Sequence, residues 1–354
     1  MGAGHDTVAA ELARRARAVG KEAHVVDVLA LLPHGLGPGL RRFYRAAVRG
    51  FPWAYAGIYA VFLRPGPTPR PSGTPLARLA GERLMSAVEK TRADVVVPVF
   101  HLAAQLTGHL RARRVLGVPS AVVVVDFAVH RQWLHPGNDL HLCVSHETAQ
   151  EVRRGLGRPA EVTGPVVAPD FFTAGPGTAE WRRRFERHGP GRPPVLVSAG
   201  AWGAGAQLLE TARLLAGNGF LPVVLCGDNE RLRRALSGVP GVLVPGWVTD
   251  MPDLLHACAA LVDNAAGQTA VQALAAGVPV VGHRPLPGHG TEGVRRMAAL
   301  GVCDHAPDGA GLLRSLTRLT AQGPERARRV TAGRALFRGD TLSRVVRTAR
   351  ADRP

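Results

Sequence analysis

The residues best suited to chemistry stand at a turn between two apolar runs. Residues 260–262 are apolar and lead into Asn264, Ala265, Ala266, Gly267, Gln268 and Thr269, a turn almost free of bulky side chains. A helical pattern follows over 270–276, then a second apolar run over 278–282 and a Pro-Gly loop reaching Gly288 and His289. In such a strand–turn–helix unit, backbone N–H groups at a helix N-terminus face the ligand, and the helix dipole favours negative charge. The expected ligand is an anion, with phosphate the usual one. A similar glycine turn upstream carries Gly200 and Gly203. His5 ends a third glycine turn that opens onto a helix, and an imidazole with an unperturbed pKa of about 6.5 suits a base at neutral pH. Asp126, His130 and Trp133 follow another apolar run. The first two can orient a substrate or assist proton transfer, and Trp133 offers an apolar face.

The elements that must carry these residues read as alternating helices and strands. Helical patterns cover residues 7–19, 81–91 and 102–115; strand patterns cover 23–29, 94–100, 120–126, 140–145 and 160–163. After a Pro- and Gly-rich stretch at 166–193, the alternation restarts with strands at 195–198, 221–226 and 242–245 and helices at 206–216 and 229–236. Strands alternating with helices imply parallel sheets covered on both faces. The expected organisation is a first Rossmann-like domain over 1–165, a linker over 166–193, a second such domain over 194–322 and a helical tail over 323–354. Ligands are then expected at the carboxyl ends of the strands. Residues 1–5 place a glycine turn directly before a helix, without the preceding strand that a phosphate-type turn needs. The first domain is therefore expected to lack its first strand, or the start codon to lie inside the gene.

The formal charge of +17 is almost wholly arginine, since Lys21 and Lys90 are the only lysines. A positive field favours anionic partners. No zinc-finger spacing or RNA-recognition signature appears, so nucleic acid is not expected. The four cysteines form no C-x-x-C pair, and the three that sit in apolar runs read as reduced, buried thiols. With no signal peptide and no apolar stretch long enough to span a bilayer, the chain is expected in the cytoplasm. Residues 40–63 combine Phe43, Trp53, Tyr55 and other aromatics with Arg41, Arg42, Arg45 and Arg49. That mixture suits an interfacial segment on an anionic membrane, with Trp53 and Tyr55 near the acceptor, peripheral at the inner face of the plasma membrane.

Taken in order, several motifs resemble the monogalactosyldiacylglycerol synthase and processive diacylglycerol glucosyltransferase family, related to the N-acetylglucosaminyl transferase acting on lipid II precursors. They are Gly2-Ala3-Gly4-His5, Leu32-Pro33, the stretch from Asp126 through His130 and Trp133 to Pro136, Gly164-Pro165, and Gly200 with Gly203. The set continues with Cys226-Gly227-Asp228-Asn229, Gly246 to Met251, Gly267-Gln268-Thr269 and Pro285-Leu286-Pro287-Gly288. The resemblance implies an α/β fold of the GT-B type, two Rossmann-like doubly wound domains facing a central cleft, with the acceptor in the first domain. It implies inverting transfer of a hexose from a UDP-sugar to a lipid hydroxyl such as that of diacylglycerol. His5, Asp126 and His130 become candidates for proton transfer. Gly246 and Met251 resemble the loop whose backbone reads uracil, and Gly200, Gly203, Gly267, Gln268 and Thr269 the diphosphate cradle. No paired-carboxylate motif for Mg²⁺ is found, so neither metal nor cofactor is expected.

The chain also departs from the family's pattern. Gln272 stands where the family carries a ribose-binding glutamate, and it hydrogen-bonds without charge. His289-Gly290 follows Gly288 where Gln and an acidic or amide residue contact the donor sugar. Two alternatives therefore stand beside the glycolipid reading: a GT-B enzyme acting on a soluble hydrophobic aglycone, and a nucleotide- or lipid-binding descendant without catalysis.

Overall fold

The computed structural model describes residues 3–50, 57, 59–63, 73–198 and 207–351. Two compact units divide the chain, one made of Met1–Ala47, Trp53–Val166 and Leu336–Pro354 and the other of Val48–Pro52 and Val167–Ala335. The expected sites at Gly200, Gly203, Trp53 and Tyr55 lie outside the described residues.

In the first unit, helices α1 (Ala3–Ala18), α2 (Leu36–Gly50), α3 (Gly81–Thr91) and α4 (His101–Ala112) precede the strands β1 (Ala121–Val123) and β2 (Leu140–Cys143). Helix α5 (His146–Leu156) then leads to β3 (Ala160–Val162). The three strands pair in parallel in chain order, with Ala121 opposite Leu140 and His141 opposite Ala160. Their side chains are buried nearly throughout, as a sheet covered on both faces requires. Local signals set α5: Ser145 caps it by accepting from Thr148 N at 3.2 Å, and Gly157 ends it in the left-handed region at φ 61°.

Two expected strands of this unit take other forms. Residues 23–29 are not a strand. Asp27 accepts the Leu29 N–H at 3.0 Å, a local turn that competes with extended pairing, and Val25 and Val26 are exposed. Residues 94–100 lie beside β1 but reach only one bridge, Val96 to Ser120. Val123 N donates to Pro98 O at 2.8 Å, yet Pro98 has no N–H to return, so the ladder breaks there.

The second unit begins with α6 (Thr178–His188), a helix within the stretch expected as a linker. It carries β4 (Pro194–Ser198), α7 (Leu208–Ala216), β5 (Leu221–Leu225) and α8 (Glu230–Ser237). After them come α9 (Met251–Ala257), β6 (Ala260–Asp263), α10 (Gln268–Ala276), β7 (Val280–His283), α11 (His289–Ala299) and β8 (Cys303–Ala306). Helices α12 (Gly309–Thr320) and α13 (Pro324–Ala335) complete it. Its parallel sheet has the order β5-β4-β6-β7-β8. The chain moves from β4 outward to β5 and returns to β6, so the order reverses between β4 and β6, where open α/β sheets bind ligands. The expected strand at 242–245 is a single bridge from Leu243 to Val223, cut short by Pro245.

The residues expected as one tail divide. Helix α13 is tied to the second unit by arginines: Arg329 bridges buried Asp304 at 2.6 Å, and Arg326 donates to Ala259 O at 2.7 Å. The last helix, α14 (Thr341–Ala351), packs on α1, with Val345 among Val8, Leu12 and Val166. Burial of one apolar face explains why this Arg-rich segment folds at all.

His141, in the middle of β2, is fully buried, and that burial pushes its ring down to about 4. A histidine whose folded pKa is depressed leaves the unfolded chain binding more protons between the two values. Stability is therefore expected to fall as pH drops from about 6.5 toward 4, by on the order of 2–3 kcal/mol from this residue. Urea midpoints at pH 7.5 and 4.5 check this: His141→Leu should narrow the gap between them, and an unchanged gap would remove His141 from the account.

Candidate functional site

In the first unit, four residues expected from the sequence come together with one that was not. His5 sits in the first turn of α1, and its Nδ1 meets Val99 O at 2.8 Å. A carbonyl only accepts, so Nδ1 carries the hydrogen and Nε2 the lone pair. Burial pushes the His5 pKa below the ordinary histidine value, against the opposing pull of Asp126 and the Val99 bond. The ring is neutral at pH 7, the state a base needs. It stands edge-on to Phe100, with centroids 5.0 Å apart, and 6.2 Å from the Trp133 ring.

Asp126 organises the other side. Its Oδ2 accepts the Trp133 indole N–H at 2.7 Å and lies 3.5 Å from His130 Nε2. The short helical turn Arg131–Trp133 brings these residues back over the end of β1. Trp133 was expected to offer an open face to an acceptor; it is instead fully buried among Val122, Val124, Val129 and Cys143. Its indole is spent on holding the carboxylate, and its rings back the histidines. His101, at the start of α4, completes the cluster. Its ring lies 5.0 Å from that of His130 and 6.2 Å from that of Trp133. Nothing in the sequence marks His101, which directly follows an apolar run and opens an ordinary amphipathic helix.

In the second unit, the turn after β6 is built by a buried acid. Asp263 is 4% exposed, and its Oδ2 accepts from Ala265 N at 2.9 Å and Ala266 N at 2.6 Å. Burial raises its pKa, and these two bonds pull the other way. The Ala266 N–H is thus used within the turn and is not a donor for a ligand, unlike the expectation for a bare glycine-type loop. Ala266 takes φ 51°, a left-handed conformation that only firm local bonding keeps in a residue with a side chain.

Beyond this turn, two helix N-termini converge. Helix α10 starts at Gln268 after Gly267, with no side-chain cap, and carries Thr269 and the half-buried Gln272. Helix α11 starts at His289 after Gly288, whose φ of 83° and ψ of −118° suit glycine alone. Leu286 N donates to Asn264 O at 2.7 Å and joins the two loops. Gly290 and Gly293 permit the approach: a Cβ on Gly290 would lie 3.0 Å from Asn264 O, and one on Gly293 2.7 Å from the Ala266 Cβ. Two converging N-termini add their dipoles and favour an anion without a charged side chain. Gly246 is exposed and precedes α9, whose first residue is Met251, and α9 packs on α10. Trp247, beside Gly246, is 70% exposed.

Residues 5–167, which hold the whole histidine cluster, match the family "Monogalactosyldiacylglycerol (MGDG) synthase". The chain is 25% identical over 256 residues to the processive diacylglycerol beta-glucosyltransferase of Bacillus subtilis, across 69% of this chain and 65% of that protein. Its fold is similar to MurG of Acinetobacter baumannii, with a TM-score of 0.58 at 15% identity over 99% and 96% of the two chains. It is also similar to Anabaena Alr3699/HepE, solved with UDP-glucose, with a TM-score of 0.54 at 14% identity over 80% and 85%. The protein is thus an α/β protein with two parallel sheets, whose structural neighbours are GT-B glycosyltransferases.

The close packing at the convergent turns gives a direct test. Gly293→Val would press branched carbon into Ala266, and overpacking of this kind costs about 1–3 kcal/mol. Urea denaturation should show that loss; an unchanged midpoint would mean the two loops are not held this tightly.

Proposed function

We propose, from the match of residues 5–167 to the monogalactosyldiacylglycerol synthase family, that the protein transfers a hexose from a UDP-sugar to a lipid hydroxyl such as that of diacylglycerol, with inversion. The observation that carries this reading is the neutral His5, its Nε2 left with a lone pair by the Val99 bond. In the proposed step His5 takes the proton of the acceptor hydroxyl as its oxygen attacks the anomeric carbon. The bond from that carbon to the nucleotide breaks, and UDP leaves carrying the electron pair. Asp126 faces the charge that develops on the imidazole, which stabilises the protonated form. His130 and His101 line the same cluster and orient the acceptor.

The departing diphosphate is assigned to the N-termini of α10 and α11, around Gly267, Gln268, Thr269, Gly288 and His289. Donors already fixed in place stabilise developing charge without reorganisation. Gly246 and Met251 are assigned to the base and Gln272 to the ribose. Glycosyl transfer to diacylglycerol is the activity named for the Bacillus subtilis relative, and UDP-glucose the ligand named for HepE. Replacing His5 tests the step. His5→Ala should lower kcat by roughly 10²–10⁴ while UDP affinity stays within about two-fold. A variant with full turnover would transfer the base role to Asp126 or His130.

Contact with an anionic membrane is assigned to α2. No helix among the described residues is long and apolar enough to cross a bilayer. Helix α2 exposes Leu36 and Phe43, the latter by 58%, on a helix that also bears Arg41, Arg42 and Arg45. Apolar side chains interleaved with arginine suit the headgroup boundary of anionic lipid. Co-sedimentation with phosphatidylglycerol vesicles is expected, with much weaker binding to phosphatidylcholine, and Phe43→Glu should cut the bound fraction several-fold. Equal sedimentation of the wild type and variant would remove α2 from the contact. No sedimentation at all would favour a soluble acceptor.

A further inference from the structure

The carboxyl ends of β4, β6 and β7 enclose a polar cavity that the histidine cluster and the helix N-termini do not use. Ser198, Thr211, Asp263, Asn264, His283 and Arg284 line it. His283 is 3% exposed, and its Nδ1 meets Ala306 O, at the end of β8, at 2.9 Å. The carbonyl can only accept, so Nδ1 holds the hydrogen and Nε2 is an acceptor. No partner meets that Nε2 among the described residues. Arg284 follows with φ 47°, a strained backbone for a residue with a side chain. Its Nη2 donates to Glu210 at 2.9 Å, while its Nη1 is buried and likewise has no partner. Buried polar atoms left unsatisfied are uncommon in native proteins and call for a ligand or a water.

Of the polar groups in its lining, one acceptor and one donor are thus left without a partner among the described residues. Its charge does not favour an anion: Arg284 is already paired with Glu210, and Asp263 stands on the wall. Burial first, and then the neighbouring Arg284, push the His283 pKa down, which keeps the ring neutral. A phosphate oxygen without a proton cannot donate to Nε2. A hydroxyl satisfies both, donating to His283 and accepting from Arg284. Asn264 and Arg284 are also the residues at which the chain leaves β6 and β7 for the N-termini of α10 and α11.

The geometry points to this cavity as the pocket for one hydroxyl of the transferred sugar, with His283 and Arg284 as its specificity-determining pair. The assignment rests on the UDP-sugar reading above. It accounts for the donor side of a chain in which His289-Gly290 replaces the sugar contacts expected from its family.

Isothermal titration of the full chain with UDP, UDP-glucose, UDP-galactose and UDP-xylose tests it. The quantity read is the affinity for each UDP-sugar relative to UDP. His283→Phe and Arg284→Met should each lower that ratio for the preferred sugar by roughly five- to thirty-fold, the range for a lost hydrogen bond to a buried partner, with UDP affinity unchanged. His283→Gln, whose amide oxygen still accepts, should restore most of the ratio, and thermal melts confirm that each variant is folded. Parallel loss of UDP and UDP-sugar affinity would make the pair structural. An unchanged ratio would mean the cavity holds an ordered water only. A wild-type chain that binds no UDP would overturn the nucleotide reading itself, and this assignment with it.

Discussion

The loops at the carboxyl end of the second unit's sheet depend on one buried carboxylate. Asp263 closes β6 and spends Oδ2 on the N–H groups of Ala265 and Ala266. Those two bonds offset the cost of burying the acid and hold Ala266 in a backbone conformation it would otherwise leave. The turn so fixed aims α10, and through Asn264 O and the Leu286 N–H it also fixes the loop that leads to α11. The carboxylate thereby fixes the turn on which the small residues Gly290 and Gly293 pack, against Asn264 O and the Ala266 Cβ.

Asp126 plays the corresponding part in the first unit, though by a different device. It is held by a side chain, the buried indole of Trp133, and it faces the rings of His5 and His130. Each unit thus places an acid at or just beyond the end of a parallel strand and uses it to hold neighbouring groups in place. The proposed chemistry differs between the two: proton transfer at the first, charge stabilisation at the second. Acids held in this way arrange their neighbours before any ligand arrives, which is where much of the value of preorganisation lies.

How far the sequence foretold this varies with the range of the interactions. Alternation of apolar runs with helical patterns was enough to find β4, β5, β6 and β7, because strands buried on both faces leave an unbroken apolar signature. His5, Asp126 and His130 were legible as candidates, and the structure brings them together. What escaped was set by tertiary contact. Residues 23–29 look like a strand until Asp27 is seen to bond its own neighbour, and residues 94–100 until Pro98 is counted as a missing donor. Trp133 reads as a binding surface because its partner, Asp126, is seven residues away and the short turn between them leaves no mark in composition. His101 and His283 sit at the edge of apolar runs, where a histidine carries no periodic signal. Asp263 reads as the polar end of a strand, and only the two amide bonds reveal its work.

The central claim is that this chain makes a glycosidic bond to a lipid. Incubating it with a radiolabelled UDP-hexose and diacylglycerol in anionic mixed micelles, then separating the lipid phase, measures that bond directly. Labelled monohexosyl-diacylglycerol is expected in amounts equal to the UDP released. UDP release without labelled lipid, or no release with any hexose tested in the presence of that acceptor, would contradict it.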